Sequence, residues 1–315
     1  MFTLFELQEL CADDEKLSAF LTKYGVLAPM KTCSCGHALG DKWYTDHGSA
    51  YRRCADRSCN LKIYGKADGI LQHSHLSLKE WVHMAYFWAH NSGGDRAVDM
   101  LGLSKPTVAA WSDRFRLCVM AWEEKHSEVD LFGGKDCEVE ADECEVGRKR
   151  KGLHGHDSDV KGDFRGLFER RSGRLFVEAY EKVSKDSDER RFGPPCVADV
   201  LPLVERLRPG TLLFTDGARA YTSVCKDMGI FNAQVDHSKG EFSRRETIHG
   251  KLRVVSTQGI DGAWGNLKNF LRARGGCRGD ILESSVKEFQ WRANLPDDSD
   301  PFFCLLECIK DGCFQ

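Results

Sequence analysis

Cys137-Glu-Val-Glu-Ala-Asp-Glu-Cys-Glu-Val-Gly147 decides how this chain is read. Val139 and Ala141 alternate with acids, the period of a strand whose two faces differ, and the strand delivers Asp142. Two remote segments deliver one aspartate each. Leu212-Leu-Phe-Thr-Asp-Gly217 is an apolar run that stops in a turn, the pattern of a buried strand ending at Asp216. Thr257-Gln-Gly-Ile-Asp-Gly-Ala-Trp-Gly-Asn-Leu-Lys268 sets Trp264, Leu267 and then Leu271 at helical spacing, so Asp261 stands at a helix start. Taken singly, each acid has an ordinary structural reading: a turn after a strand for Asp216-Gly217, a dipole-favoured N-terminal acid for Asp261. Together, two strand-borne carboxylates and one helix-borne carboxylate are a donor set for two divalent ions. Such ions, ~4 Å apart, clamp the attacking and leaving oxygens of a phosphodiester. Magnesium, or manganese in its place, takes hard oxygen ligands and keeps several waters, so a few carboxylates suffice.

The surrounding pattern predicts strands over 137–146, 163–169 and 174–183, a helix over 196–207, a strand over 211–215 and a helix over 218–228. A long polar loop over 232–258 and helices over 261–273 and 280–292 complete it. Consecutive strands, then a helix and a further strand, suit a mixed α/β sheet with helices on its faces. Long loops in compact domains are often functional. His237 within this one is an accessory candidate, as a proton shuttle or as a structural histidine. Trp264 packs in the core or stacks on a base.

The ordered set of segments resembles the DDE transposases of the Merlin type and their bacterial insertion-sequence relatives of the ISXO type. In that group the first acid lies in a Val-Glu-hydrophobic-Asp-Glu strand, matched by Val139-Glu-Ala-Asp142-Glu143. The second lies in a hydrophobic-x-Asp-x4-Tyr segment, matched by Phe214-Thr-Asp216-Gly-Ala-Arg-Ala-Tyr221. A His-Ser pair and a Phe follow, here His237-Ser238 and Phe242. The third acid opens a Thr-Asn-x-Ile-Glu-x2-Trp-x3-Lys helix, matched from Thr257 through Trp264 to Lys268. The resemblance spans roughly residues 135 to 292. It implies a ribonuclease-H-like catalytic domain with Asp142, Asp216 and Asp261 as metal ligands. It also implies an enzyme that cuts element ends and joins them to target DNA, acting as a homo-oligomer on paired ends. Two positions depart from the pattern. Asp261 replaces the usual Glu, one methylene shorter, so its helix must come closer; Gln258-Gly259 replaces the Asn. A host-adopted relic that binds DNA without cutting, a ribonuclease-H-fold nuclease that does not transpose, and a zinc-dependent transcription regulator are the competing readings.

Upstream, Cys33-x-Cys35 and Cys54-x4-Cys59 are two close thiol pairs with 18 residues between them, the layout of a zinc ribbon over 31–70. His37 is an alternative ligand, and four buried free thiols are the bland reading. Zn2+ is favoured because the resembling family often carries a ribbon ahead of its catalytic domain. No secretory leader opens the chain, so the 14 cysteines do not read as a disulfide framework.

Residues 1–30 read as a short amphipathic helix and 76–126 as a helical region. There Asp95–Gly102 and a helix from Thr107, with Ser104 as N-cap and Pro106 in the first turn, have helix-turn-helix layout. Lys105, Thr107 and Ser112 are its candidate DNA contacts, a plain helical hairpin being the alternative. Further basic candidates are Lys268, Arg272, Arg274 and Arg278, and the run Arg148-Lys-Arg-Lys151. His154 and His156 lack the neighbours a metal site needs. The tail, 293–315, reads as a linker with a docking helix. The net charge of −3 confines any contact with double-stranded DNA (terminal inverted repeats and target) to local basic patches. No apolar stretch reaches membrane-spanning length. A nuclear location in a eukaryote, or the cytoplasm and nucleoid otherwise, follows from the resemblance.

Overall fold

The computed structural model describes residues 1–27, 32–66, 69–127, 131–146, 162–181, 195–274 and 279–312. The chain forms two compact units, Met1–Lys125 with Leu295–Gln315, and His126–Asn294.

In the first unit, α1 (Leu4–Ala12) starts at a capping box between Thr3 and Glu6. The expected single N-terminal helix is two, because Asp13 is extended and its carboxylate accepts the N–H groups of Glu15 and Lys16 to open α2 (Asp14–Lys23). Strands β1 (Tyr44–Asp46), β2 (Ser49–Arg53) and β3 (Lys62–Tyr64) make a small antiparallel sheet. Ser77 and Glu80 form the capping box of α3 (Leu78–Ala89), which buries Trp81, Val82 and Ala85. α4 (Gly94–Leu101) ends where Gly102 turns left-handed at φ 65°. Ser104 Oγ then accepts the Thr107 N–H at 3.3 Å, opening α5 (Lys105–Ser127). Helix α5 runs on because Val108, Trp111, Phe115, Cys118 and Val119 keep a buried stripe at helical spacing.

The second unit contains β4 (Phe132–Gly133), β5 (Glu138–Val146), β6 (Gly162–Glu169), β7 (Leu175–Ala179), α6 (Val197–Glu205), β8 (Leu207–Arg208), β9 (Leu212–Thr215), α7 (Arg219–Asp227), β10 (Phe231–Gln234), β11 (Ser243–Ile248), β12 (Lys251–Ser256), α8 (Gln258–Ala273) and α9 (Gly279–Ala293). Its main sheet runs in the order β10-β9-β5-β6-β7. Strands β5, β6 and β7 are antiparallel neighbours, while β9 joins the free side of β5 in parallel and β10 joins β9 in parallel. An antiparallel trio extended from its first strand by two parallel strands, with helices on both faces, is the ribonuclease-H-like α/β fold. The period-two pattern of β5 sorts its residues. Val139 and Ala141 pack under α6 and α7 with Val200, Leu203, Tyr221 and Val224. Cys144 and Val146 pack under α8 and α9 with Ile260, Trp264, Leu267 and Val286.

The stretch 232–258 is not a plain loop. It holds most of β10, one 3-10 turn (His237–Lys239) and the β11–β12 hairpin. Charged residues hid the hairpin: Arg244, Arg245, Lys251 and Arg253 interrupt the apolar alternation, although Ile248 and Val255 are buried against Leu212 and Phe214. Its two-residue turn is His249-Gly250, at φ 49° and 76°. That is the left-handed pair a tight hairpin requires, made without the usual Asn-Gly.

α10 (Pro301–Gly312) returns to the first unit, where Phe302 is buried and stacks near Phe2, Phe20 and Tyr86. Among the described residues, no helix is long and apolar enough to cross a membrane.

Candidate active site and cysteine centre

Asp142 lies in mid-strand on the face of β5 that α8 covers. Its Oδ2 accepts the indole N–H of Trp264 at 3.0 Å. Trp264 is 4% exposed and lies over Gly166, the residue paired with Asp142 across β5 and β6. A Cβ on Gly166 would come within 2.8 Å of the indole. Trp264 is therefore a core side chain that orients an acid, not a platform for a base. Asp216 follows β9 directly and its Oδ1 accepts the Ala218 N–H at 3.3 Å. The chain turns here through Gly217 at φ 94°, where a side chain would press on the Val235 carbonyl. Asp261 sits exposed in the first turn of α8, its Oδ2 accepting from Thr257 Oγ1 at 3.2 Å. The same hydroxyl is 3.4 Å from His237 Nε2, and the His237 ring lies against Phe242. His237 thus adjoins the helix start that carries the third acid.

Three remote segments meet electrically at Asp142. Burial, followed by the charges of Glu143, Asp216 and Asp261, pushes its carboxyl up to about 8. Asp142 is close enough to feel both of the other aspartates, yet the three do not bring their oxygens all within 4.8 Å of one another. A half-buried carboxylate crowded by other carboxylates and hard oxygen donors suits a divalent cation, whose charge would reverse that repulsion. Glu143 points to the other face of β5 and accepts the hydroxyl of fully buried Tyr221 at 2.5 Å, which fastens α7 beneath the site.

One supporting residue had no signal in the sequence. Glu140, 1% exposed, accepts the Ile260 N–H at 2.8 Å and pairs with Arg170 at 2.5 Å. Its place two residues before Asp142 marks it as a neighbour on the same strand face, but only the packed fold reveals its partner on α8.

In the first unit, Cys33, Cys35, Cys54 and Cys59 bring their sulfurs within 4.8 Å of one another, the one such metal-ligand group among the described residues. Cys33 and Cys59 are 3.8 Å apart and Cys35 and Cys54 3.5 Å, too far for disulfides. A tetrahedral ion with ~2.3 Å bonds to sulfur spaces its ligands by about 3.8 Å, so the quartet fits zinc. Backbone bonds from Cys33 N to His37 O and from Gly36 N to Cys33 O form the first knuckle. His37 stands beside the quartet, its Nδ1 3.4 Å from Cys35 Sγ. The His37 backbone and then its ring lower the Cys35 thiol to about 6, whereas burial raises Cys54 to about 12.

No protein-family model matches the chain. It is 23% identical over 253 residues, 78% of its own length and 79% of the relative's, to an uncharacterized protein in transposable element ISH50 of Halobacterium salinarum. Among solved structures it is similar to the HTLV-2 integrase catalytic core domain in complex with magnesium (TM-score 0.32, 13% identity, 56% of this chain and 99% of that one). It is also similar to the catalytic core domain of BIV integrase (TM-score 0.30, 16% identity, 54% and 93%). The ribonuclease-H-like assignment stands on the strand order itself, and these likenesses single out no one family.

The basic candidates divide. Lys268 is half-buried with its ammonium against Cys144, on the strand face of Asp142. Arg272 is exposed on α8. Arg274 is exposed just past α8, where its guanidinium pairs with Glu288 at 2.9 Å and lies 3.5 Å over the Phe270 ring. Lys105 is exposed and pairs loosely with Asp95, while the Thr107 hydroxyl is engaged with Ser104 Oγ at 2.8 Å in the helix cap. The Arg148–Lys151 run, His154, His156 and Arg278 lie outside the described residues.

Proposed function

We propose that this chain is a DDE-type DNA transposase that cuts the ends of an element and joins them to target DNA. The observation that carries the reading is Asp142, half-buried in the first strand of a ribonuclease-H-like sheet and facing the charges of Asp216 and Asp261. Two divalent ions, magnesium or manganese, supply activation of the attacking oxygen and stabilisation of the leaving one when bound. Asp142 would be the ligand common to both, with Asp216 completing one site and Asp261 the other. Trp264 holds Asp142 in place through its indole N–H. Lys268, on the same strand face, would neutralise a phosphate of the scissile strand.

Zinc would close the cysteine quartet, and the ribbon with α4 and α5 would grip the terminal inverted repeats. Phosphate contacts supply most of such affinity and make it salt-sensitive. The similarity to a protein of a transposable element supports this reading. Work on paired ends implies a dimer or larger assembly.

The test is a joining assay. Purified protein, Mg2+ and an oligonucleotide carrying the inverted repeat that flanks its own coding region are mixed with supercoiled plasmid. The expected products are nicks that leave 3′-hydroxyls at the repeat and covalent joints to the plasmid. Hydrolysis without any joint would contradict transposition and leave a nuclease.

A further inference from the structure

An aspartate at position 261 reaches less far than a glutamate, so the helix that carries it must lie unusually near the strand that carries Asp142. Helix α8 meets the sheet across two glycines, Gly259 on the helix and Gly166 on β6. Gly259, in its first turn, faces the cross-strand pair formed by Glu140 and Phe168. A Cβ at 259 would fall 2.5 Å from the Phe168 ring and 2.9 Å from Glu140 Oε2, closer than packed atoms approach. Two pairs along, opposite Asp142, bare Gly166 receives the Trp264 ring in the same way. Glycine is a poorer helix former than alanine, so its use at 259 answers a spatial demand.

A polar clasp holds the helix at that distance. Glu140 Oε2 accepts the Ile260 N–H, one of the donors a helix start leaves open. Glu140 Oε1 accepts from Arg170 Nε. The remaining Arg170 nitrogens donate to the Val254 and Ser256 carbonyls at 2.6 and 2.9 Å, the last strand before α8. The chain is thereby fixed on both sides of Gln258-Gly259.

We propose that Gly259, clasped by Glu140 and Arg170, is a positioning residue that draws α8 onto the sheet so that the short Asp261 side chain reaches the ions shared with Asp142. The proposal rests on the transposase reading. It turns Gly259 and Asp261 into one matched pair: less reach in the side chain, less distance from the helix.

The test is a double-variant cycle on full-length zinc-loaded protein. It reads Mn2+ affinity by calorimetry in the absence of DNA, and then cleavage. Gly259→Ala pushes the helix outward and is expected to weaken Mn2+ binding ~10-fold or more, the scale seen when the groups supporting metal ligands are lost. Asp261→Glu alone over-reaches and also weakens it. The double variant Gly259→Ala/Asp261→Glu restores the fit and binds Mn2+ more tightly than either single variant. A merely structural glycine gives no such length-specific rescue. Losses that add in the double variant overturn the proposal. Should Gly259→Ala fail to fold, Asp261→Glu alone decides, since affinity equal to or above that of the unaltered protein also overturns it. Asp142→Asn and Asp261→Asn separate the two levels. If both leave Mn2+ binding and cleavage unchanged, the transposase reading falls; if both abolish them while Asp261→Glu binds normally, only the positioning inference falls.

Discussion

Asp142→Asn is expected to cut DNA cleavage by at least ~10³-fold, on the scale produced by losing a central catalytic group, while raising the melting temperature of the metal-free protein at alkaline pH. Both effects have one cause. Asp142 is the acid on which the other carboxylates act, and burial and their charges hold its proton to about pH 8. In the unfolded chain the same carboxyl ionises near ~3.9. Between those values the folded state binds a proton that the unfolded state has released, so this residue's contribution to stability falls as pH rises across the window. Asparagine keeps the shape, continues to accept from Trp264 and has no charge to bury. The variant and the unaltered protein should therefore melt together below about pH 4 and diverge up to about pH 8, with the variant higher. Excess Mg2+ should reverse the order, because an ion that binds only the folded state raises its melting temperature and the variant has lost the shared ligand. Parallel melting curves at all pH values, with cleavage intact, would remove Asp142 from the centre of the site.

Cys54→Ser should empty the ribbon. The three strands of that sheet are only three, five and three residues long, and the small core beneath them is made of Cys33, Leu39 and Cys54 with Cys59 and Ile63 alongside. So little apolar burial does not hold a fold by itself. Structural zinc in thiolate sites contributes ~10–16 kcal/mol of apparent binding energy, enough to decide whether such a sheet forms. Zinc measured by mass spectrometry should fall from one ion per chain to none, and the segment 32–66 should become protease-sensitive. The DNA-end affinity of the variant should fall with it. Zinc-free protein whose segment 32–66 resists protease would contradict the assignment.

The parts of the fold carried by local pattern were readable in advance. Strand β5 announced itself because Val139 and Ala141 alternate with acids, and β9 because four apolar or β-forming residues end at Asp216-Gly217. The cysteine quartet was readable from spacing, since knuckles need close pairs. What escaped depended on partners distant in the chain. The β11–β12 hairpin reads as a loop because its pattern is inverted on β12, with Leu252 and Val254 exposed and Arg253 turned in onto Asp136 and Glu138, and because a histidine begins its turn. Glu140 looked like one acid among several, and only its Ile260 and Arg170 partners set it apart. The partner of Arg274, Glu288, lies fourteen residues on and is visible only in the fold. Gly259 looked like a departure from a motif, and its meaning depends on Phe168 across the helix–sheet contact. Charge, too, is ambiguous without neighbours: Lys268 lies against Cys144, Arg272 is exposed, and Arg274 pairs with Glu288.

The central claim is that Asp142, Asp216 and Asp261 hold divalent ions between them. Crystals of the full-length protein soaked in Mn2+ and measured at the manganese absorption edge test it most directly. Two anomalous peaks are expected, one at bonding distance from Asp142 and Asp216 and the other from Asp142 and Asp261. An ordered site with no peak bonded to any two of these three carboxylates would contradict it.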